Sequence, residues 1–168
     1  MLVLGIDPGI AITGFGLISQ ENSGNLKAID FGVLRTDAHL NLPTRLLLLH
    51  DQISQLLLLH KPDRCAVEKL FFQKNVRTAM TVGEARGVVL LALAQHDLLP
   101  TEYTPNEIKQ AVAGYGSADK KQVQLMVQTL LALPQLPEPD DAADALAVAI
   151  CHISQSNYQE AVSVALNQ

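Results

Sequence analysis

The first 35 residues constrain the fold most. Leu2 to Asp7 is a short apolar run ending in Asp7-Pro8-Gly9, a turn signature, and Ile12 to Ser19 and Leu26 to Arg35 follow as two more strand-like segments. Turn residues, including Asn22-Ser23-Gly24, separate the second from the third. Connections this short join antiparallel neighbours, because parallel strands need a much longer crossover. The chain therefore opens as a three-stranded meander and is committed to a sheet before any helix begins.

Beyond the meander the pattern alternates. Pro43 suits a first helical turn. The helix it opens carries Leu46 to Leu49, Ile53 and Leu56 to Leu59, leucine nearly all round, which predicts a largely buried element. Lys61-Pro62-Asp63 ends it, and Arg64 to Leu70 reads as a fourth strand bearing Glu68. A long helix from about Val76 to His96 contains Gly83 and Gly87, four apart, a spacing that lets another backbone approach within the chain or across a dimer. Leu99 to Tyr103 reads as a fifth strand. Pro105 to about Val112, Asp119 to Leu131 and Asp140 to Ile153 read as helices. Residues 1–154 are expected to form one α/β domain, a mixed five-stranded sheet flanked by helices, and 155–168 a partly disordered tail.

Composition excludes several classes. With 168 residues, 48% of them hydrophobic and 17% charged, the chain suits one compact domain and is no disordered protein. No apolar run approaches the roughly 18 residues of a membrane span, and the N-terminus has no basic stretch of a signal peptide, so a soluble, cytoplasmic protein is expected. Cys65 and Cys151 sit far apart in apolar segments, which predicts buried reduced thiols and neither a disulfide scaffold nor a zinc site. The net charge of −5 argues against indiscriminate nucleic-acid binding, but the charge is uneven. Nine of the twelve Lys and Arg lie between Lys61 and Lys121, and none follows Lys121.

Four carboxylates interrupt apolar elements. Asp7 ends the first strand and Glu68 lies near the end of the fourth, while Asp141 and Asp144 are three apart and share a helix face. A charge at such a position must reach solvent, a partner or a metal, because burying it alone is costly. Asp140 and Asp141 both suit a helix N-terminus, and Asp140 is also a same-face neighbour of Asp144, so the choice between them stays open at this level. No Lys or Arg stands near Asp141 or Asp144 in sequence to neutralise them. Carboxylates grouped without His or Cys suit hard cations such as magnesium or manganese. Two such ions about 3.5–4 Å apart can clamp the attacking and leaving oxygens of a phosphodiester.

Five blocks in order resemble the RuvC family of bacterial Holliday-junction resolvases. They are Gly5-Ile6-Asp7-Pro8-Gly9 with Thr13-Gly14-Phe15-Gly16, Val67-Glu68 with Phe71, Gly83-Glu84-Ala85-Arg86-Gly87, Gly114 to Lys120, and Asp141-Ala142-Ala143-Asp144-Ala145-Leu146-Ala147. The resemblance implies a ribonuclease H-like fold, whose element order matches the one read above. It also implies a homodimer that nicks two opposed strands of a four-way DNA junction, and a catalytic quartet of Asp7, Glu68, Asp141 and Asp144 holding two magnesium ions, with manganese able to substitute. The family spacing selects Asp141 over Asp140. Lys109 and Lys120 match positions that contact the DNA backbone, and Lys74, Arg77 and Lys121 are plausible additions. Phe71 matches an aromatic that contacts DNA near the cut, with Phe72 the competing candidate. The RuvA and RuvB branch-migration proteins are the implied partners.

Two rivals share parts of this pattern. The Ile-Asp-x-Gly strand end followed by Thr-Gly also opens actin-like ATPases and sugar kinases, but these need two such domains, and no second phosphate loop is present. YqgF-like nucleases acting on RNA precursors share the fold and the first strand; the Asp141 to Ala147 block and Gly114 to Ala118 favour the resolvase.

Overall fold

In the computed structural model, residues 1–69 and 76–166 are described, with 76–79 described by their backbone alone. The order is β1 (Leu2–Asp7), β2 (Ile12–Gln20), β3 (Leu26–Arg35), α1 (Leu42–His60), β4 (Arg64–Glu68), α2 (Val76–Gln95), β5 (Thr101–Tyr103), α3 (Pro105–Ala113), α4 (Lys120–Leu130) and α5 (Asp140–Leu166). The strands lie in the order β3-β2-β1-β4-β5. The first three form the expected antiparallel meander, and β4 and β5 add to β1 in parallel through helical crossovers. This is the mixed five-stranded sheet read from the sequence.

Alternation along the strands divides the core in two. Leu4, Ile6, Phe15, Leu17, Cys65 and Val67 point to one side, where Leu49, Ile53, Leu56 and Leu57 of α1 and Ala85, Val89 and Leu93 of α2 cover them. Val3, Ile18 and Ala66 point to the other side, under α3, α4 and α5. Both cysteines are free and buried, one in each half of the core.

Local signals fix the helix ends that matter for the site. Thr104 and Glu107 form a capping box at the start of α3, and Asp119 and Gln122 form another at the start of α4. The second box makes Lys120 the first residue of α4.

Two expectations are corrected. α1 is not largely buried: Leu47, Leu58 and Leu59 are 60%, 62% and 74% exposed. A helix lying on a sheet beside one neighbour can cover only part of its circumference, and leucine on the remaining face meets water in the single chain. The tail does not begin at residue 155, because α5 runs on to Leu166. No Gly or Pro follows Pro139, so nothing in the sequence stops the helix. Its last turns are exposed, and the Gln20 amide donates to Asn157 Oδ1 at 3.1 Å.

Candidate active site

The site lies where α5 meets the ends of β1 and β4. The β1–β2 register pairs Gly5 with Gly16 and Asp7 with Gly14. All three glycines are there so that α5 can touch the sheet. A Cβ on Gly14 would stand 1.9 Å from the Asp141 carbonyl oxygen, one on Gly5 2.2 Å from that of Ala145, and one on Gly16 2.8 Å from the Leu146 amide nitrogen. The helix answers with Ala142, Ala145 and Ala149, all fully buried. Small residues on both surfaces bring the first turns of α5 down onto the strand that ends in Asp7. The turn after Asp7 is closed by Thr13, whose hydroxyl donates to the Gly9 carbonyl at 2.6 Å and accepts from the Gly9 amide at 3.2 Å. Behind it, Thr36 donates to the Ile10 carbonyl and accepts from Arg45 Nε.

Asp7 and Glu68 follow the alternation of Val3-Gly5-Asp7 and Ala66-Glu68 toward α5. Their side chains are hydrogen bonded to each other. Asp7 is pushed up to about 8, first by burial, then by the charges of Glu68, Asp144 and Asp141. Burial also raises Glu68, against the opposing pull of its hydrogen bond with Asp7 and of Lys120 and Lys109. Burial and the neighbouring charges thus hold both carboxyls above the ordinary carboxylate range. Asp144 is raised by burial even though Lys120 draws it down.

Lys120 is the nearest counter-charge. Its ammonium lies 3.0 Å from Asp144 Oδ2 and 3.4 Å from Asp140 Oδ2. Sequence proximity could not show this pair, because α4 and α5 meet only in the folded chain. Asp140 is exposed, accepts from Gln124 at 2.7 Å and is lowered by that bond and by Lys120. It is a tie to α4, while the charge of Asp141 contributes to raising Asp7. Lys109 and Lys120 flank a pocket of about 240 Å³ whose walls include Glu68 and Asp144 and whose floor is Ile108, Val123 and Ala147.

Three members of the expected quartet, Asp7, Glu68 and Asp144, come together directly, and the field of Asp141 reaches Asp7. Among the described residues, no three His, Cys, Asp or Glu side chains stand as a closed cation site. Asp7 and Glu68 are bonded to each other, and Asp144 is turned to Lys120. The donor chemistry nevertheless fits a hard divalent cation: all-oxygen, partly buried and mutually repelling enough to hold a proton near neutrality. Lys121 is exposed on the first turn of α4. Phe71, Phe72 and Lys74 lie outside the described residues, as does the side chain of Arg77.

The chain is similar to known proteins over nearly its whole length. The family model described as crossover junction endodeoxyribonuclease RuvC matches residues 3–152. A crossover junction endodeoxyribonuclease RuvC of Caldicellulosiruptor saccharolyticus is 52% identical over 163 residues, covering 95% of this chain and 98% of the relative. The Thermus thermophilus RuvC structure superposes with a TM-score of 0.88 at 35% identity, over 95% of this chain and 97% of the other. The same Thermus protein in complex with Holliday junction substrate gives 0.86 at 32% identity, over 94% and 96%. A sheet built to seat one helix on two carboxylate-bearing strand ends, matched over nearly its whole length at this identity, places the chain in the RuvC family of crossover junction endodeoxyribonucleases.

Proposed function

We propose that this chain resolves four-way DNA junctions by hydrolysing one phosphodiester in each of two opposed strands. The observation that carries the reading is the buried group of Asp7, Glu68 and Asp144 beside the lysine-flanked pocket, in a chain similar to a Thermus protein solved on Holliday junction substrate.

Asp7, Glu68, Asp141 and Asp144 would hold two magnesium ions, with manganese able to substitute. When bound, such ions polarise the phosphate and lower the pKa of an attacking water. The chain's own residues do the rest. Asp7 and Glu68 are both raised, so holding a cation there would require them to be deprotonated, and affinity for it should rise with pH. Lys120, held at Asp144 by its ion pair, and Lys109 present ammonium groups at the pocket mouth, where they fit a phosphate oxygen. Lys121 extends this basic edge along the first turn of α4, and Lys74 and Arg77 are proposed as additional phosphate contacts. Phe71 or Phe72 contacts a base near the cut.

Symmetric incision requires two copies, and the chain works as a homodimer. Support comes from α2, where Gly87 is exposed with open space beside it and Met80 and Leu91 are 65% and 53% exposed, two turns and one turn away respectively. Gly87→Leu should weaken the dimer in sedimentation. The site of action is the cytoplasm, with RuvA and RuvB as partners; among the described residues no helix is long and apolar enough to cross a membrane.

Cleavage of a labelled four-way junction with a migratable core, beside linear duplex and RNA, with magnesium and with chelator, tests the reading. Paired symmetric nicks that require magnesium are expected. Cutting of RNA or of every DNA alike would replace the substrate, and tight junction binding without cutting would leave a binding module.

A further inference from the structure

The half of the core under α5 is apolar except for one buried pair. Tyr103 and His152 are 8% and 7% exposed, and the Tyr103 hydroxyl lies 3.1 Å from His152 Nδ1. Their rings meet edge to face, with centroids 6.0 Å apart. His152 Nε2 is buried and has no hydrogen-bond partner among the described residues. Burial, then Arg64, lowers His152, and burial pushes Tyr103 up, so the bond joins two neutral groups. Such a pair, with one ring nitrogen unsatisfied, is a poorer stabiliser than Phe against Leu would be. What it supplies instead is direction.

That direction joins β5 to α5, which share little other direct packing. On the β1 and β2 side, the glycine contacts set the seat of α5, and with it the distance from Asp7 to Asp141 and Asp144. On the other side, packing between α5 and β5 is sparse. Tyr103 is the register partner of Glu68, and its carbonyl accepts from the Lys69 amide at 2.8 Å, so β5 carries the end of β4 with it. His152 is eleven residues beyond Asp141, close to three whole turns along the same face of α5.

We propose that Tyr103 and His152 are positioning residues that set the spacing of Glu68 from Asp144, and thereby the affinity of the carboxylate group for a divalent cation. The proposal rests on the metal-dependent reading given above. It concerns only the Glu68 side of the site, because Asp7 and Asp141 are placed by the glycines.

The test is Mn²⁺ binding to the full chain without DNA, by calorimetry, with junction binding in chelator and metal-free melting measured beside it. Tyr103→Phe should weaken Mn²⁺ binding about tenfold and leave junction affinity in chelator within about twofold. His152→Asn carries an amide where Nδ1 stands and should bind Mn²⁺ as wild type does, whereas His152→Gln carries its amide at the Nε2 position and should bind as Tyr103→Phe does. If Tyr103→Phe does not fold, the Asn and Gln pair makes the same comparison. A merely structural role would lower melting in all three variants and leave Mn²⁺ affinity in step with wild type, and that result overturns the proposal. Absence of Mn²⁺ binding in wild type would overturn the metal reading and this proposal with it. Binding by wild type and Tyr103→Phe alike would overturn the positioning role alone.

Discussion

The two faces of the sheet are built from opposite materials. Under α1 and α2 the core is Leu, Ile, Val and Phe, and each large side chain removes apolar surface from water. Under α5 the sheet presents Gly5, Gly14 and Gly16 to Asp141, Ala145, Leu146 and Ala149, so that backbone meets backbone. One face supplies stability by bulk, and the other gives it up for closeness. Closeness is what carboxylates from two strands and a helix require if they are to share a cation, and their burial and then their mutual repulsion, expressed in the raised Asp7, are the stability cost of that face.

Asp7→Asn gives the largest contrast between the faces. Removing a ligand oxygen should lower junction cleavage about 10³-fold or more, the scale of several kcal/mol of transition-state stabilisation. Above about pH 8, where Asp7 is ionised, the same change removes a buried charge and its repulsion, so the metal-free variant should melt above wild type there. Parallel cleavage and melting assays check both signs, and a variant that is inactive and also less stable would break the account of the site as strained.

Glycine and isoleucine then separate closeness from bulk. Gly14→Ala places a methyl group against the Asp141 backbone, which cannot retreat without lifting α5, and a loss above about 3 kcal/mol is expected. On the other face Ile53→Val should cost only about 0.5–1.5 kcal/mol, the usual range for one buried methylene, and leave cleavage per folded molecule unchanged. Urea unfolding measures both. Equal costs would mean that the α5 seat adapts as readily as the aliphatic core does.

Much of this division is legible in the sequence, and the rest is hidden for identifiable reasons. Asp7 and Glu68 stand out because each ends a short apolar strand, and Asp141 and Asp144 because three residues make a helix face. Period and turn chemistry are local, so the sequence shows them. Lys120 against Asp144 is not local: twenty-three residues, including a proline-rich connection, intervene, and only the packing of α4 on α5 brings them together. The same packing gives Asp140 its role, which capping chemistry alone could not separate from that of Asp141. The three glycines read as strand residues, with nothing in their spacing to say that a helix sits on them until the antiparallel register aligns Gly5 with Gly16. For α1 the leucines are plain, but which of them meet a neighbour depends on how much of its circumference α2 and the sheet cover.

The raised Asp7 and Glu68 make the faces differ in pH response as well. In the folded metal-free chain Asp7 keeps its proton to about pH 8, whereas the unfolded chain releases it near 3.8. Between these values the folded state binds the additional proton, so raising pH costs stability, and the slope vanishes below the lower value and above the upper. Glu68 and Asp144 are also raised and act with the same sign. Melting of the metal-free chain should fall by about 5–10 °C from pH 5 to pH 8 and recover on adding magnesium at pH 8. A flat profile, or one unchanged in Asp7→Asn, would remove the carboxylates as its cause.

The smallest expected effect distinguishes two adjacent lysines at the edge of the α5 face. Lys120 and Lys121 open α4 together, but the Lys120 ammonium is engaged with Asp144 and Asp140, while Lys121 makes no ion pair among the described residues. Lys121 is thus the free ammonium of the two, and its proposed role is on a phosphate outside the protein. Lys121→Ala should therefore weaken junction binding about two- to fivefold near 0.1 M salt, reduce the slope of log affinity against log salt by about 0.9, and leave the cleavage rate at saturating enzyme unchanged. Lys120→Ala should lower that cleavage rate as well, because it strips Asp144 of its counter-charge inside the site. Binding measured at several salt concentrations, with single-turnover cleavage beside it, separates the two. If both variants change only the salt slope, Lys120 belongs to the DNA surface and not to the carboxylate group.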